Sequence, residues 1–186
     1  MGEWTEDLAD ITPATWRFGE EPRGPGPFVL KGAWKSRKDK WDELMYAPTL
    51  SDVTRIACRL MSDTLIGEGN IWVRQYGPLE RLGTGLNGVP LSNEWRIFVM
   101  DGRPIASGFY WEAHRDQLEA EPDISSMPAS FLVGVCKRVG ERIRFAAVDV
   151  ARTVSGEWIV IEVNDGQQSG LNGVDADRLY SALGRI

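Results

Sequence analysis

Three oxygen-bearing side chains in the C-terminal third have the types and spacing to hold a divalent cation. Asp149 lies in the apolar run Phe145 to Thr153, and Glu162 and Asn164 lie in the return run Glu157 to Asn164. Ser155-Gly156 between them is a turn signal, so the two runs predict a β-hairpin. A two-residue turn sets Asp149 directly opposite Glu162. The two-residue period of a strand then puts Trp158, Val160, Glu162 and Asn164 on one face, and Ile159, Ile161 and Val163 on a core face. A four-residue loop would slide Asp149 opposite Val160 and leave Glu162 as a diagonal neighbour. Two carboxylates facing each other across a hairpin repel. The pair therefore calls for either a basic neighbour or a cation. Two carboxylates, an amide oxygen and waters suit Mg²⁺.

Two further groups could handle phosphate. Glu94 and Arg96 point to one face of a strand, either as a surface ion pair or as an arginine aimed at a phosphate or a developing oxyanion. Lys31 ends the apolar run Phe28-Val29-Leu30 and opens a basic stretch with Lys35, Arg37, Lys38 and Lys40. The lone His114 and the distant Cys58 and Cys136 exclude a multi-histidine metal centre and a Cys-x-x-Cys unit. The two thiols read as buried and reduced.

These side chains need rigid elements to hold them. Ser51 is a candidate N-cap for a helix whose apolar face runs Val53, Ile56, Ala57, Leu60, Met61 and Leu65, with a stop near Gly67 and Gly69. Ile71 to Tyr76 reads as a strand, and residues 77 to 92 as a connecting loop. Glu94 to Trp111 reads as a hairpin turning at Asp101-Gly102. Pro128 opens a helix bearing Phe131, Leu132, Val135, Cys136 and Val139 on one face. A short helix ends the chain between Asp175 and Leu183. Hairpins mixed with segregated helices predict an α+β fold with antiparallel sheets. Residues 1 to 27, with their Pro/Gly run, read as an N-terminal arm.

The chain has 186 residues and a net charge of −6, enough for one domain or two small lobes. The charge argues against a general nucleic-acid binder. No window is long and apolar enough to span a bilayer, and the acidic N-terminus is no signal peptide. A cytoplasmic protein is expected.

Taken together, these residues resemble the ATP-grasp superfamily from Phe28 to about Leu171, and most of all its small divergent members of bacteria and phages in the RimK-like carboxylate–amine ligase clade. The strand ending in Lys31 is similar to the family's phosphate-binding lysine strand. Trp72-Val73-Arg74-Gln75-Tyr76 with Gly77-Pro78-Leu79-Glu80 resembles the hinge that contacts adenine and ribose. Glu94-Trp95-Arg96 resembles the Glu-x-Arg strand. Asp149-Val150-Ala151 with Ile161-Glu162-Val163-Asn164 resembles the metal-binding hairpin. The resemblance implies two α+β lobes with antiparallel sheets sandwiching ATP, lobe one at about 28–76, a hinge at 77–89 and lobe two at about 90–186. The front domain usual in the family is expected to be lacking.

The resemblance also implies ATP and Mg²⁺ as cofactors and an amide or peptide bond made through an acyl phosphate. Lys31 and Lys35 would hold phosphates, and Lys31 and Arg96 would act in catalysis. Gln75, Tyr76 and Leu79 would face adenine, Glu80 the ribose, and Glu94 and Arg96 would complete the cofactor-binding set. Asp149, Glu162 and Asn164 would bind the metal. A small molecule, a peptide or a protein tail is the expected substrate. A homo-oligomer or partner protein would complete the substrate site. A phosphotransferase, a nucleotide-binding module without chemistry, and RNA binding through the basic stretch are the competing readings.

Overall fold

The computed structural model describes residues 2–22, 24–33, 35–66 and 69–185. Gly67 and Trp34 lie outside the described residues. The chain divides into two compact units. The first comprises Pro13–Gly77 and Gly85–Val89; the second comprises Gly2–Thr12, Pro78–Thr84 and Pro90–Ile186. Two segments of the first 27 residues form regular structure, Gly2–Asp7 and Thr15–Arg17. They supply a helix to one unit and an edge strand to the other.

In the first unit, β1 (Thr15–Arg17), β2 (Phe28–Gly32), β3 (Tyr46–Ala47) and β4 (Ile71–Gln75) form an antiparallel sheet in the order β1-β4-β2-β3. Alternation along the strands sends Phe28, Leu30, Ile71 and Val73 to one face, where they meet Val53, Ile56, Ala57 and Leu60 of α2 (Leu50–Met61). Apart from Ala57, each such buried side chain contributes roughly 1.5–3 kcal/mol. The cap of α2 is Thr49, not Ser51: Thr49 and Asp52 form a capping box, and the Thr49 N–H donates to Asp52 Oδ2 at 3.3 Å. Because the helix ends at Met61, Leu65 falls outside it and is exposed.

In the second unit, β7 (Glu94–Met100), β8 (Arg103–Phe109), β9 (Phe145–Arg152) and β10 (Trp158–Asp165) form an antiparallel sheet ordered β10-β9-β7-β8. Asp101 (φ 48°) and Gly102 (φ 74°) make the turn between β7 and β8, as the Asp-Gly signal predicts. One face carries Ile97, Val99, Ala146, Val148, Val150, Trp158, Val160 and Val163. It packs on α1 (Gly2–Asp7), the following Leu8, and α3 (Ala129–Gly140). The opposite face carries Phe98, Ala106 and Ala147 against Val174 and Leu179, the latter in α4 (Ala176–Leu183). The expected loop at 77–92 instead holds a small ribbon, β5 (Arg81–Thr84) paired with β6 (Pro90–Ser92).

The two cysteines differ in environment. Cys58 is exposed on α2, whereas Cys136 is fully buried and burial pushes its thiol pKa up to about 11. A thiol-specific disulfide reagent should titrate one thiol in the native protein and two in denaturant. Two reactive thiols in the native state would contradict this packing of α3.

Candidate functional site

The second-unit hairpin pairs Asp149 with Glu162, as expected, but by a different route. The turn is one residue longer than the two-residue loop, with the Thr153 N–H donating to Glu157 O at 2.8 Å and Gly156 at φ 88°. That register pairs Trp158 with Arg152 and Val160 with Val150. A β-bulge between Val160 and Glu162 then restores the Asp149–Glu162 pair and sets Asn164 opposite Ala147. The bulge also reverses the faces. Trp158 and Val160 lie in the core, Ile159 is only half-buried, and Glu162 and Asn164 take the side of Asp149.

The basic neighbour demanded by two facing carboxylates is Arg96. It lies directly across from Asp149, on β7. Its Nε donates to Asp149 Oδ1 and its Nη2 to Oδ2, each at 2.8 Å. Both side chains are buried, at 7% and 1% exposed. Nη1 donates to the Gly170 carbonyl at 2.7 Å and to Asn172 Oδ1 at 3.4 Å. Arg96 thus commits four of its five N–H bonds inside the unit. The Tyr110 ring lies 5.2 Å from its guanidinium carbon. Burial works against the charge, but the hydrogen bond and charge of Asp149, helped by Tyr110 and Glu162, outweigh it and hold the guanidinium pKa above its ordinary value.

The donor set fits Mg²⁺. Each Asp149 oxygen accepts one N–H from Arg96, and a carboxylate oxygen can accept more than one bond. Glu162 and Asn164 are half-buried on the same side of the sheet. Among the described residues no three His, Cys, Asp or Glu side chains form a metal-binding group. A cation here would therefore rest on two carboxylates, the Asn164 amide oxygen and water or phosphate, which is how Mg²⁺ is usually held.

Other predicted residues of this unit are already engaged. Glu94, buried at the start of β7, accepts the Ser92 hydroxyl at 3.2 Å. Glu80 accepts Arg152 Nη1 at 3.1 Å and Asn93 Nδ2 at 2.8 Å. Leu79 bridges Thr153. Of the predicted adenine segment, Gln75 and Tyr76 belong to the first unit and Leu79 to the second.

The first-unit sheet has one face away from α2, and it carries Lys31. In register across it, Lys31 pairs with Trp72 and Trp72 with Arg17, while Val29 pairs with Arg74 and Arg74 with Thr15. Three cations, Lys31, Arg74 and Arg17, therefore alternate to one side around a buried Trp72. The Arg17 guanidinium carbon stands 5.4 Å from the Trp72 ring, and Arg74 Nε donates to Thr15 Oγ1 at 3.1 Å. Lys35 lies past the strand and is exposed. Arg37 turns inward to Asp39 and Asp63, so the basic stretch is not uniformly solvated. Trp41, Tyr46 and Tyr76 form an aromatic row, with centroids 6.2 Å and 5.5 Å apart. Gln75 Nε2 and the Tyr76 N–H both donate to the Pro27 carbonyl. The sequence alone gives Arg74 no part, although its alternation with Trp72 on an apolar strand is the available signal.

Comparisons with known proteins follow the same lines. The sequence matches a family described as an ATP-grasp domain, the third family of its clade, over residues 17–183. No curated protein matches the sequence. The fold is similar to D-cycloserine synthetase DcsG, with a TM-score of 0.57, 17% identity, and coverage of 98% of this chain and 68% of that one. It is similar to D-alanine–D-alanine ligase from Bacillus anthracis complexed with ATP (TM-score 0.55, 14% identity, 97% and 57% covered). It is also similar to the ATP-grasp ligase PsnB complexed with precursor peptide PsnA2 and AMPPNP (0.51, 16%, 87% and 48%). The chain spans about half the length of the PsnB chains it matches. Among the described residues no helix is long and apolar enough to cross a membrane.

Proposed function

The chain belongs to this family of ATP-grasp domains, and from that premise we propose that it is an ATP-dependent, Mg²⁺-requiring carboxylate–amine ligase. The observation that carries the reading is the pairing of Asp149 with Glu162, with Asn164 on the same side and Arg96 bonded to Asp149. Facing carboxylates on a largely apolar hairpin repel, and a cation beside Arg96 would offset that repulsion. Asp149, Glu162 and Asn164 would hold Mg²⁺, which supplies charge neutralisation for the transferring phosphoryl group.

Lys31 contributes a point charge to the phosphates, supported by Arg74 on the same sheet face. Lys35 extends that charge onto the loop. In the first unit Gln75 and Tyr76 are the candidate adenine contacts, with Tyr46 and Trp41 extending the aromatic row; in the second unit Leu79 is the candidate for adenine and Glu80 for the ribose. Arg96 acts from its buried position: it holds the Asp149 carboxylate in place and offers fixed positive charge to the reacting phosphoryl and acyl oxygens. A substrate carboxylate oxygen would attack the γ-phosphorus and ADP would leave; an amine would then attack the acyl-phosphate carbonyl, lose a proton and expel inorganic phosphate. The solved PsnB complex contains precursor peptide PsnA2, which supports a peptide or protein tail as substrate beside a small molecule. Such ATP-dependent chemistry fits a cytoplasmic enzyme.

ADP release under Mg²⁺, screened against amino acids and short peptides, tests the reading. Release that requires both a carboxylate and an amine is expected. Release without any amine, with the phosphoryl group retained on the acceptor, would favour a phosphotransferase. No release with any acceptor, despite nucleotide binding, would leave a module without chemistry.

A further inference from the structure

β10 carries one residue more than its ladder needs. Between the Val160–Val150 and Glu162–Asp149 pairs the register shifts by one residue, a bulge at Ile161. Counting on from Val160 without this bulge would pair Ile161 with Asp149 and Glu162 with Val148. Val148 lies in the core with Trp158 and Val160. Glu162 and Asn164 would then enter the apolar side, where an ionised carboxylate is strongly disfavoured. The bulge is what delivers them to Asp149.

β10 is the edge strand of its sheet, so the bulge is supported from outside the ladder. The Val160 N–H donates to Ile11 O at 2.8 Å, and Thr12 Oγ1 donates to Val160 O at 2.9 Å. Two consecutive residues thus satisfy both backbone groups of the residue preceding the bulge. They are themselves well anchored. Leu8 is 1% exposed in the core, and Trp4 and Ile11 pack against it. Arg138 Nη2 donates to Asp10 Oδ1 at 2.6 Å and also to the Asp7 carbonyl, while Arg142 donates to Asp7 Oδ1 at 3.0 Å. Pro13 biases Thr12 toward extended backbone. The family match begins at residue 17, so this segment lies outside it.

We propose that Ile11–Thr12 is a positioning element for the metal face. By holding the bulge at Ile161 it fixes the β10 register that turns Glu162 and Asn164 toward Asp149, and Thr12 is its positioning residue. The inference rests on the reading above for the metal, but not for the register.

Thr12→Val keeps the branched shape and removes the hydroxyl; Thr12→Ser restores it. In Thr12→Val, amide exchange at Val160 should accelerate and the Asp149–Glu162 backbone contact seen by NMR should weaken. The Kd for Mn²⁺·ATP should rise about 2- to 10-fold, the size of one lost hydrogen bond, with metal-free ATP affinity unchanged. Thr12→Ser should return all three values toward wild type. An unaltered Asp149–Glu162 contact in Thr12→Val, or an altered contact with unchanged Mn²⁺·ATP affinity, overturns the proposal. Absence of metal-dependent binding in the wild type overturns the ligase reading instead, and the NMR contact alone then decides the register.

Discussion

Asp149→Asn is expected to cost about 3–5 kcal/mol of stability as well as the metal-dependent nucleotide affinity. Glu162→Gln should lose the affinity alone. The difference lies in what each substitution leaves behind. Asp149 and Arg96 form a bidentate pair with both side chains buried. An amide in place of the carboxylate keeps the shape but strands the guanidinium charge away from water, and half of the fork then meets an N–H₂ donor. Glu162 is half-buried, so its neutral isostere can be accommodated while the cation loses a carboxylate ligand. Denaturant unfolding gives the first quantity, and calorimetric titration of ATP with and without Mg²⁺ gives the second. Equal stability for the two variants would show that the ion pair is not the mainstay of this sheet. Unchanged Mg²⁺-dependent affinity in both would remove the metal assignment.

Gly108→Ala should destabilise the second unit by about 3 kcal/mol, at the upper end of overpacking costs. A Cβ at Gly108 would stand 2.1 Å from the Gly173 carbonyl carbon and 2.2 Å from Val174 N. Both are backbone atoms, so β8 or the 170–174 loop must move. That loop supplies the Gly170 carbonyl and the Asn172 side chain to Arg96, and the Gly173 N–H donates to Phe109 O at 3.1 Å. Displacing it should therefore lower turnover beyond what partial unfolding explains. Gly134→Ala is the matched control. It sits in α3 with nothing within 4 Å of an added Cβ, so helix propensity should raise stability by roughly 0.5–1 kcal/mol. Opposite signs for two Gly→Ala changes would isolate the close approach at Gly108. A neutral Gly108→Ala would mean the loop yields freely and does not hold Arg96.

Much of the positioning is legible in the sequence because strand alternation and turn chemistry are local. Asp101-Gly102, the Phe28–Lys31 strand and the α3 apolar face follow from periods of two and 3.6 residues and from backbone preferences. The Asp149–Glu162 pairing is also legible, though through an incorrect turn length that the bulge offsets. Alternation puts Trp158 and Val160 on the side of Glu162 because it has no means of registering an inserted residue. The strand at Thr15–Arg17 and the β5–β6 ribbon are short, and the partner of Thr15–Arg17 lies far along the chain. For Thr15–Arg17 no window of local sequence contains the pairing that forms it, and the β5–β6 ribbon is too short for a period to show.

Residue types and short-range periods were enough to define the groups available for chemistry: oxygen-bearing side chains on one hairpin, an arginine on a strand, a lysine closing another, and a single histidine. Three arrangements needed the folded chain. Arg96 commits its donors to Asp149, Gly170 and Asn172; Lys31 shares a sheet face with Arg74 and Arg17; Ile11 and Thr12 support the strand bearing Glu162. These depend on which distant strands pair and in what register, and that is set by burial of apolar faces summed over each unit.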